Sequence, residues 1–360
     1  MGVERSDLSF GSLAKGEKNK ITDVPGVRVG HVTLSDGEIQ TGVTAIIPGE
    51  GSCFMDKFPA AAHVINGFGK SIGLMQVNEL GTLETPVILT NTFSVPACAE
   101  GLLDYMLADH HEIGVTTGTV NPVVMECNDG GLNAIRERNV TPGHVLEALE
   151  NAGEDFEEGA VGAGRGMRCY SFKGGIGSAS RVITLCGEEY TLGALLLTNF
   201  GSKKDLTVCG RRLWQEHTEA EADKGSCIII LATDAPLSCR QLGRCARRAQ
   251  NGLARTGTIT GGGSGDVVLM FSTANRVPHG STELISASVI AENELELLFR
   301  AVADTVEESV ISSLLHAETV CGVRGNKTLS IIDAGLLPEE KKADGIHILS
   351  AVKNSILRRF

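Results

Sequence analysis

The chain has 360 residues, 42% hydrophobic and 21% charged, with 44 glycines and only 4% aromatic side chains. This excludes a disordered chain, a collagen-like repeat and a coiled coil, and the glycines imply tight turns and close backbone approaches. The net charge of −12 sets the chain against phosphate backbones, so nucleic acid is not an expected partner.

In chain order, residues 1–19 read as a flexible, polar N-terminal tail without the apolar stretch of a signal peptide, from which a cytoplasmic location is expected. No apolar run approaches the roughly 18 residues needed to span a bilayer, so no membrane partner is expected. Residues 20–360 read as a single domain. Turn chemistry at Ile21–Gly26 leads into a strand reaching Val32, and Gly42–Pro48 and Pro86–Thr92 are further strands. Residues 96–111 and 142–152 carry helical periodicity, with a strand and Gly-rich turn between Val115 and Gly131. Strands are predicted over Met167–Phe172, Arg181–Cys186 and Thr191–Asn199. Residues 202–225 are the best candidate for an exposed linker, with charged runs flanking Leu213 and Trp214. Cys227–Thr233 is a buried strand by length and β-branching. A helix capped by Ser238 follows Pro236, and a Gly-rich turn at 261–265 precedes a strand at Val267–Phe271. Glu292 to about His316 reads as a long amphipathic helix carrying Leu295, Leu298, Val302, Val306, Val310 and Leu314 on one stripe. Strands and helices mix without regular βαβ alternation, so the expected fold class is layered α+β.

Several motifs fall short of chemistry. Gly67-Phe68-Gly69-Lys70-Ser71 has Val64 where a P-loop needs glycine, and Gly162-Ala163-Gly164-Arg165-Gly166 has Met167 where a dinucleotide fingerprint needs one. His110-His111-Glu112 lacks the spacing of a helical zinc site, so no metal is expected. The ten cysteines form no C-x-x-C and read as free thiols, and Arg240, Arg244, Arg247 and Arg248 read as a solvated helix face.

The junction at Gly225-Ser226 is different. A hydroxyl stands at the start of an apolar strand, behind a glycine and a charged linker. An N-terminal nucleophile requires this arrangement: the hydroxyl attacks the preceding carbonyl, an N→O acyl shift follows, and water hydrolyses the ester. A glycine before the serine suits a strained backbone. The freed α-amine, with an ordinary pKa of ~8, then serves as general base for its own hydroxyl. Taken alone, Gly-Ser before a strand also fits an ordinary turn.

The segment from Gly225-Ser226 through Ala232-Thr233-Asp234-Ala235-Pro236-Leu237, with Leu242, Arg247-Arg248-Ala249 and Arg255-Thr256-Gly257, resembles the family of L-aminopeptidase/D-alanine esterase-amidase and β-peptidyl aminopeptidases. So do Ile21–Val32, Gly42–Pro48, Glu126-Cys127-Asn128-Asp129-Gly130, Lys173-Gly174-Gly175-Ile176-Gly177, Phe271-Ser272-Thr273-Ala274-Asn275 and Ala317-Glu318-Thr319, in the family's order over nearly the whole chain.

The resemblance implies a self-cleaving serine aminopeptidase or amidase with an αββα sandwich, similar in layout to N-terminal-nucleophile hydrolases. It implies one catalytic domain over 20–360, cut at Gly225/Ser226 into 1–225 and 226–360, and a homo-oligomer that is a tetramer of processed heterodimers. The implied substrates are small peptides, amino-acid amides or esters. Ser226 falls on the nucleophile, and Asn199 falls on the oxyanion donor, although a strand-end turn also explains this asparagine. Ser264 and Asp266 fall on a Ser-x-Glu pair, one methylene short, where an Asx-type turn is the other reading. Glu126, with Asn128 and Asp129, is placed to bind the substrate ammonium. No cofactor is needed, since nucleophile and base belong to one residue. Some members carry a catalytic tyrosine just after the Asn-Asp-Gly motif, where this sequence reads Gly130-Gly131-Leu132-Asn133 with no aromatic, and Tyr170 lies elsewhere in sequence. An acyl transferase similar to the ornithine acetyltransferases is the alternative enzyme reading, opposed by serine in place of their threonine. A non-catalytic, unprocessed homologue is the other alternative.

Overall fold

The Ser226–Thr233 strand shows how this sequence builds its interior. All eight of its residues are buried. Cys227, Ile229 and Leu231 join one apolar cluster, shared with helices, while Ile228, Ile230 and Ala232 join another, shared with a second sheet. A strand covered on both faces has no polar face to show, hence the unbroken apolar run.

The computed structural model describes residues 8–213 and 225–336. Ser226–Thr233 sits in the middle of a seven-stranded sheet. Antiparallel Glu188–Asn199 and then Ile176–Leu185 lie on one side, and parallel Gly265–Ser272, then Asp56–Gly67 and Val277–Pro278, on the other. Thr82–Leu83 pairs with Asp56–Gly67. The opposing sheet has four strands, ordered Arg28–Asp36, Ile39–Ile47, Val87–Asn91, Val123–Cys127. Val87, Leu89, Val123 and Met125 of this sheet meet Leu195, Ile228, Leu269 and Phe271 of the larger one in a shared core. Helices Val95–Asp109 and Pro142–Glu150 cover the outer face of the small sheet. Helices Cys239–Ala246, Ala249–Arg255 and Leu295–Leu315 cover the outer face of the large one. The result is the expected α+β arrangement of two sheets between helical layers. Ser238 caps its helix as expected, accepting from the Gln241 N–H while Gln241 Oε1 accepts from the Ser238 N–H at 3.0 Å.

Three expectations are corrected. Residues 8–19 are not a loose tail. Phe10 is 3% exposed, its carbonyl accepts from Arg181 Nη2 at 2.7 Å, and the Gly16 N–H donates to Ser180 Oγ at 3.2 Å. The buried Arg181 guanidinium requires such partners, and Glu308 supplies the other at 2.7 Å with both side chains fully buried. Residues 1–7 of the expected tail lie outside the described residues. The Leu295–Leu315 helix carries its apolar stripe, but Asp304, Glu307, Glu308, Ser309, Ser312 and Ser313 are buried as well. Its polar face is turned inward because Arg181 and Arg255 meet those carboxylates there. Met167–Phe172 is not one strand. Arg168–Cys169 and Phe172–Lys173 form a tight hairpin that turns through Tyr170 and Ser171, at φ of 51° and 64°.

Other readings hold or gain a reason. Trp214 and 216–224 of the linker lie outside the described residues. All ten cysteines are free, six of them buried. Arg240 and Arg244 pair with Glu292, and Arg248 lies 4.1 Å above the Phe299 ring, a helix face satisfied within the chain. The glycines at 162–166 serve packing: a Cβ at Gly164 would lie 2.6 Å from the Ile176 nitrogen.

Candidate active site

Strand register assembles the centre of the site. Ser226 is the first residue of its strand, level with Asn199 on the antiparallel neighbour and with Gly265 on the parallel one. Three chain segments, each remote from the others in sequence, thus end side by side. Ser226 is 6% exposed at the base of a cleft of about 410 Å³.

Ser226 Oγ donates to the Gly225 carbonyl at 2.7 Å. The Gly265 N–H points at the same carbonyl, at 3.2 Å, and at Ser226 Oγ, at 3.3 Å. The hydroxyl and the bond preceding it therefore share one backbone donor. Gly225 is not in the left-handed region, contrary to the strained backbone expected of it. Glycine is required there for space: a Cβ would lie 2.4 Å from both the Asn199 carbonyl oxygen and Phe200 Cα.

The Asn199 side chain is fixed at both ends. Its Oδ1 accepts the Arg168 N–H at 2.9 Å, and its Nδ2 donates to the Asn128 carbonyl at 2.9 Å. An acceptor on one side and a donor on the other set the amide's orientation and leave its second N–H for another acceptor. Ser264 and Asp266 are 1% and 2% exposed and lie beneath the cleft, flanking Gly265. Ser264 Oγ donates to Asp266 Oδ1 at 2.8 Å, leaving the serine oxygen as an acceptor.

Glu126 stands near the end of Val123–Cys127 in the small sheet and is 3% exposed. Its Oε1 accepts the Lys70 N–H at 2.7 Å and its Oε2 accepts from the Thr92 hydroxyl. A carboxylate with two fixed donors keeps lone pairs for a cation in the cleft it lines. Asn128 also lines the cleft, with its Oδ1 held by the Gly130 N–H at 2.9 Å. Asp129 does not join them. It is fully buried, accepts from Asn133 Nδ2 at 3.0 Å, and burial pushes its carboxyl up to about 7. Successive residues leaving a strand end point in opposite directions, so Glu126 and Asn128 reach the cleft while Asp129 turns inward.

The cleft includes residues that sequence reasoning passed over. Phe68 and Lys70 come from the segment set aside as an incomplete P-loop, and its backbone serves Glu126 rather than a phosphate. Thr92 and Arg168 also line it. Only the glycines at 67 and 69 hinted at a close backbone approach there, and nothing pointed to Arg168. Tyr170 is buried beneath Gly201, with its hydroxyl 2.8 Å from Thr256 Oγ1. Among the described residues, no cluster of three or more His, Cys, Asp or Glu side chains is placed to hold a metal ion. No described helix is long and apolar enough to cross a membrane.

Residues 19–328 match the model of peptidase family S58. The β-peptidyl aminopeptidase BapA of Sphingosinicella microcystinivorans is 37% identical over 354 residues, covering 90% of this chain and 88% of the relative. Among solved structures, the PH0078 protein of Pyrococcus horikoshii OT3 superposes with a TM-score of 0.87 at 48% identity, covering 93% of this chain and 97% of that one. The L-aminopeptidase D-Ala-esterase/amidase of Ochrobactrum anthropi superposes with a TM-score of 0.85 at 33% identity, covering 98% of each chain. That protein is described as a prototype for the serine aminopeptidases and a variant among the N-terminal-nucleophile hydrolase folds. The chain belongs to peptidase family S58 and is a hydrolase, a serine aminopeptidase of the N-terminal-nucleophile type.

Proposed function

We propose that the chain cuts its own Gly225–Ser226 bond and that Ser226, then N-terminal, releases N-terminal residues from small peptides, amino-acid amides or esters. The observation that carries this reading is the 2.7 Å contact between Ser226 Oγ and the Gly225 carbonyl, with the Gly265 N–H aimed at that same oxygen. In the first turnover Ser226 Oγ adds to the Gly225 carbonyl carbon. The Gly265 N–H stabilises the charge that develops on the carbonyl oxygen. Collapse breaks the C–N bond as the proton lost by Oγ passes to the departing nitrogen, leaving residues 1–225 as an ester on Ser226 and the Ser226 nitrogen as an amine. Water hydrolyses the ester, yielding a carboxylate at Gly225 and the free hydroxyl.

In later turnovers the amine of Ser226 takes the proton from its own Oγ as that oxygen attacks the substrate acyl carbon, and delivers it to the leaving group. Asn199 offers its remaining N–H to the oxyanion. Ser264, its proton committed to Asp266, accepts from the Ser226 ammonium and orients it. Glu126 receives the substrate's ammonium by charge-assisted hydrogen bonds. The chain's own residues thus supply nucleophile, base and oxyanion donors. The two resulting pieces, 1–225 and 226–360, remain one catalytic domain because their strands pair across the cut, Asn199 against Ser226. Self-association into a tetramer of processed heterodimers in the cytoplasm belongs to the same reading.

A denaturing gel with intact mass tests the reading. Two fragments meeting at Gly225/Ser226 are expected of the wild type, and one uncut chain of Ser226→Ala. A wild-type chain that stays whole yet hydrolyses aminoacyl p-nitroanilides would refute the mechanism. Serine as the nucleophile favours hydrolysis over acetyl transfer to ornithine.

A further inference from the structure

The cleft is electrically asymmetric about its nucleophile. On the Gly265 side stands the Glu126 carboxylate: a Cβ at Gly69 would lie 3.5 Å from Glu126 Oε1 and 3.9 Å from Gly265 Cα. On the Asn199 side stands Arg168, whose main-chain N–H is held by Asn199 Oδ1. Its side chain is exposed to the cleft and makes no hydrogen bond or ion pair with any described residue. Space for it is provided by Gly131. A Cβ at that position would meet Arg168 Nη2 at 2.7 Å, Cζ at 2.8 Å and Nε at 3.0 Å. Lys70, the second cation lining the cleft among the described residues, has its Nζ 4.6 Å above the Phe68 ring. The order across the cleft is therefore anion, nucleophile, cation.

We infer that Arg168 is a specificity-determining residue that receives a carboxylate on the leaving-group side, so that the favoured substrates are short zwitterionic peptides with a free C-terminal carboxylate close to the scissile bond. This rests on the reading of Ser226 and Glu126 given above. With the ammonium on Glu126 and the acyl carbon at Ser226, the leaving portion of the substrate extends past Asn199 toward the guanidinium. A guanidinium binds a carboxylate through two parallel hydrogen bonds, a geometry that an amide, an ester or an anilide cannot reproduce. A dipeptide matches the charge order of the cleft; a simple amino-acid amide satisfies only its Glu126 end.

The test compares one dipeptide as its free acid and as its C-terminal amide, with an aminoacyl p-nitroanilide reporting the serine chemistry and a denaturing gel reporting self-cleavage. The processed wild type is expected to favour the free acid about tenfold in kcat/KM. In Arg168→Met that ratio falls to about one, and in Arg168→Glu it inverts in favour of the amide. Gly131→Ala, which displaces the guanidinium without touching its charge, lowers the ratio through KM. A loss of structure would depress both peptides together and could not invert their order. A wild-type ratio near one, or a ratio that survives in a processed Arg168→Glu, overturns the assignment of Arg168 and leaves the serine mechanism standing. Failure to self-cleave and to hydrolyse the anilide overturns the mechanism and this assignment with it.

Discussion

Gly225→Ala separates the geometry of self-cleavage from the mere presence of its nucleophile. The added Cβ would lie 2.4 Å from the Asn199 carbonyl oxygen and from Phe200 Cα, whereas ordinary contact begins at 3.4 Å. Both obstacles are backbone of the segment that carries the Asn199 side chain, so the alanine itself must move by about 1 Å. Such a shift carries the Gly225 carbonyl away from Ser226 Oγ and from the Gly265 N–H, now 2.7 and 3.2 Å distant. A misplacement of about 1 Å at a reacting centre costs on the order of 10²-fold in rate, which is ~2.7 kcal/mol of barrier. The assay is a time course of chain cleavage by denaturing gel, from freshly folded precursor, with circular dichroism confirming that the variant is folded. Cleavage about a hundredfold slower than wild type is expected, although Ser226 is intact. A folded Gly225→Ala chain that cuts itself at the wild-type rate would show that the contact geometry around the scissile carbonyl does not control the reaction.

Other consequences follow from the same arrangement. Asn199→Ala, which removes the amide proposed to donate to the oxyanion, is expected to lower kcat by about 10² to 10³ with little change in KM. Asn199→Asp keeps the acceptor for the Arg168 N–H, adds charge beside the oxyanion and is slower still, as steady-state kinetics on processed enzyme will show. Glu126→Gln loses a charge-assisted contact to the substrate ammonium and is expected to lower kcat/KM by about 10- to 100-fold, using ~1.5–3 kcal/mol for such a bond. Its self-cleavage proceeds, because the precursor presents no ammonium at that point. Asp129 gives a pH signature. Burial holds its folded pKa at about 7, above the ordinary 3.8 of an exposed aspartate, so folding favours the protonated form. The associated stability is present at low pH and is lost as pH rises from about 4 to about 7, on the order of 4 kcal/mol in all. Denaturant unfolding of Asp129→Asn between pH 5 and 8 is expected to show a much flatter profile than wild type, and an identical slope would refute the assignment.

Much of this was legible in the chain, and what was hidden has one physical cause. Local pattern located the Cys227–Thr233 strand and the Ser238 cap, because burial and capping depend on neighbours in sequence. Ser226 stood out at the start of an apolar run. Arg168 gave no signal and Lys70 only that of the glycines before it, since nothing local tells which segments border a cleft. Asp129 shows the converse: its neighbours Glu126 and Asn128 reach the cleft while it is buried, because adjacency in sequence is not adjacency in space. Strand pairing resolves these cases. Leu195 and Leu197 lead to Asn199, Ile230 and Ile228 lead to Ser226, and Leu269 and Val267 lead to Gly265, all six apolar residues packing between the sheets. Each site residue continues, at a spacing of two, a row of inward-facing side chains and occupies the position where that row runs out of core. A polar group there is held by the rigidity of the buried strand behind it while its tip meets solvent. The same phase places Cys227 and Asp266 on the opposite face, where Asp266 Oδ1 accepts from Ser264 Oγ. Once the register of three strands is known, Ser226 stands between Asn199 on one neighbouring strand and Gly265 on the other, which brings together the three residues proposed as nucleophile, oxyanion donor and backbone donor, and only Arg168 and Lys70 require the structure to be found.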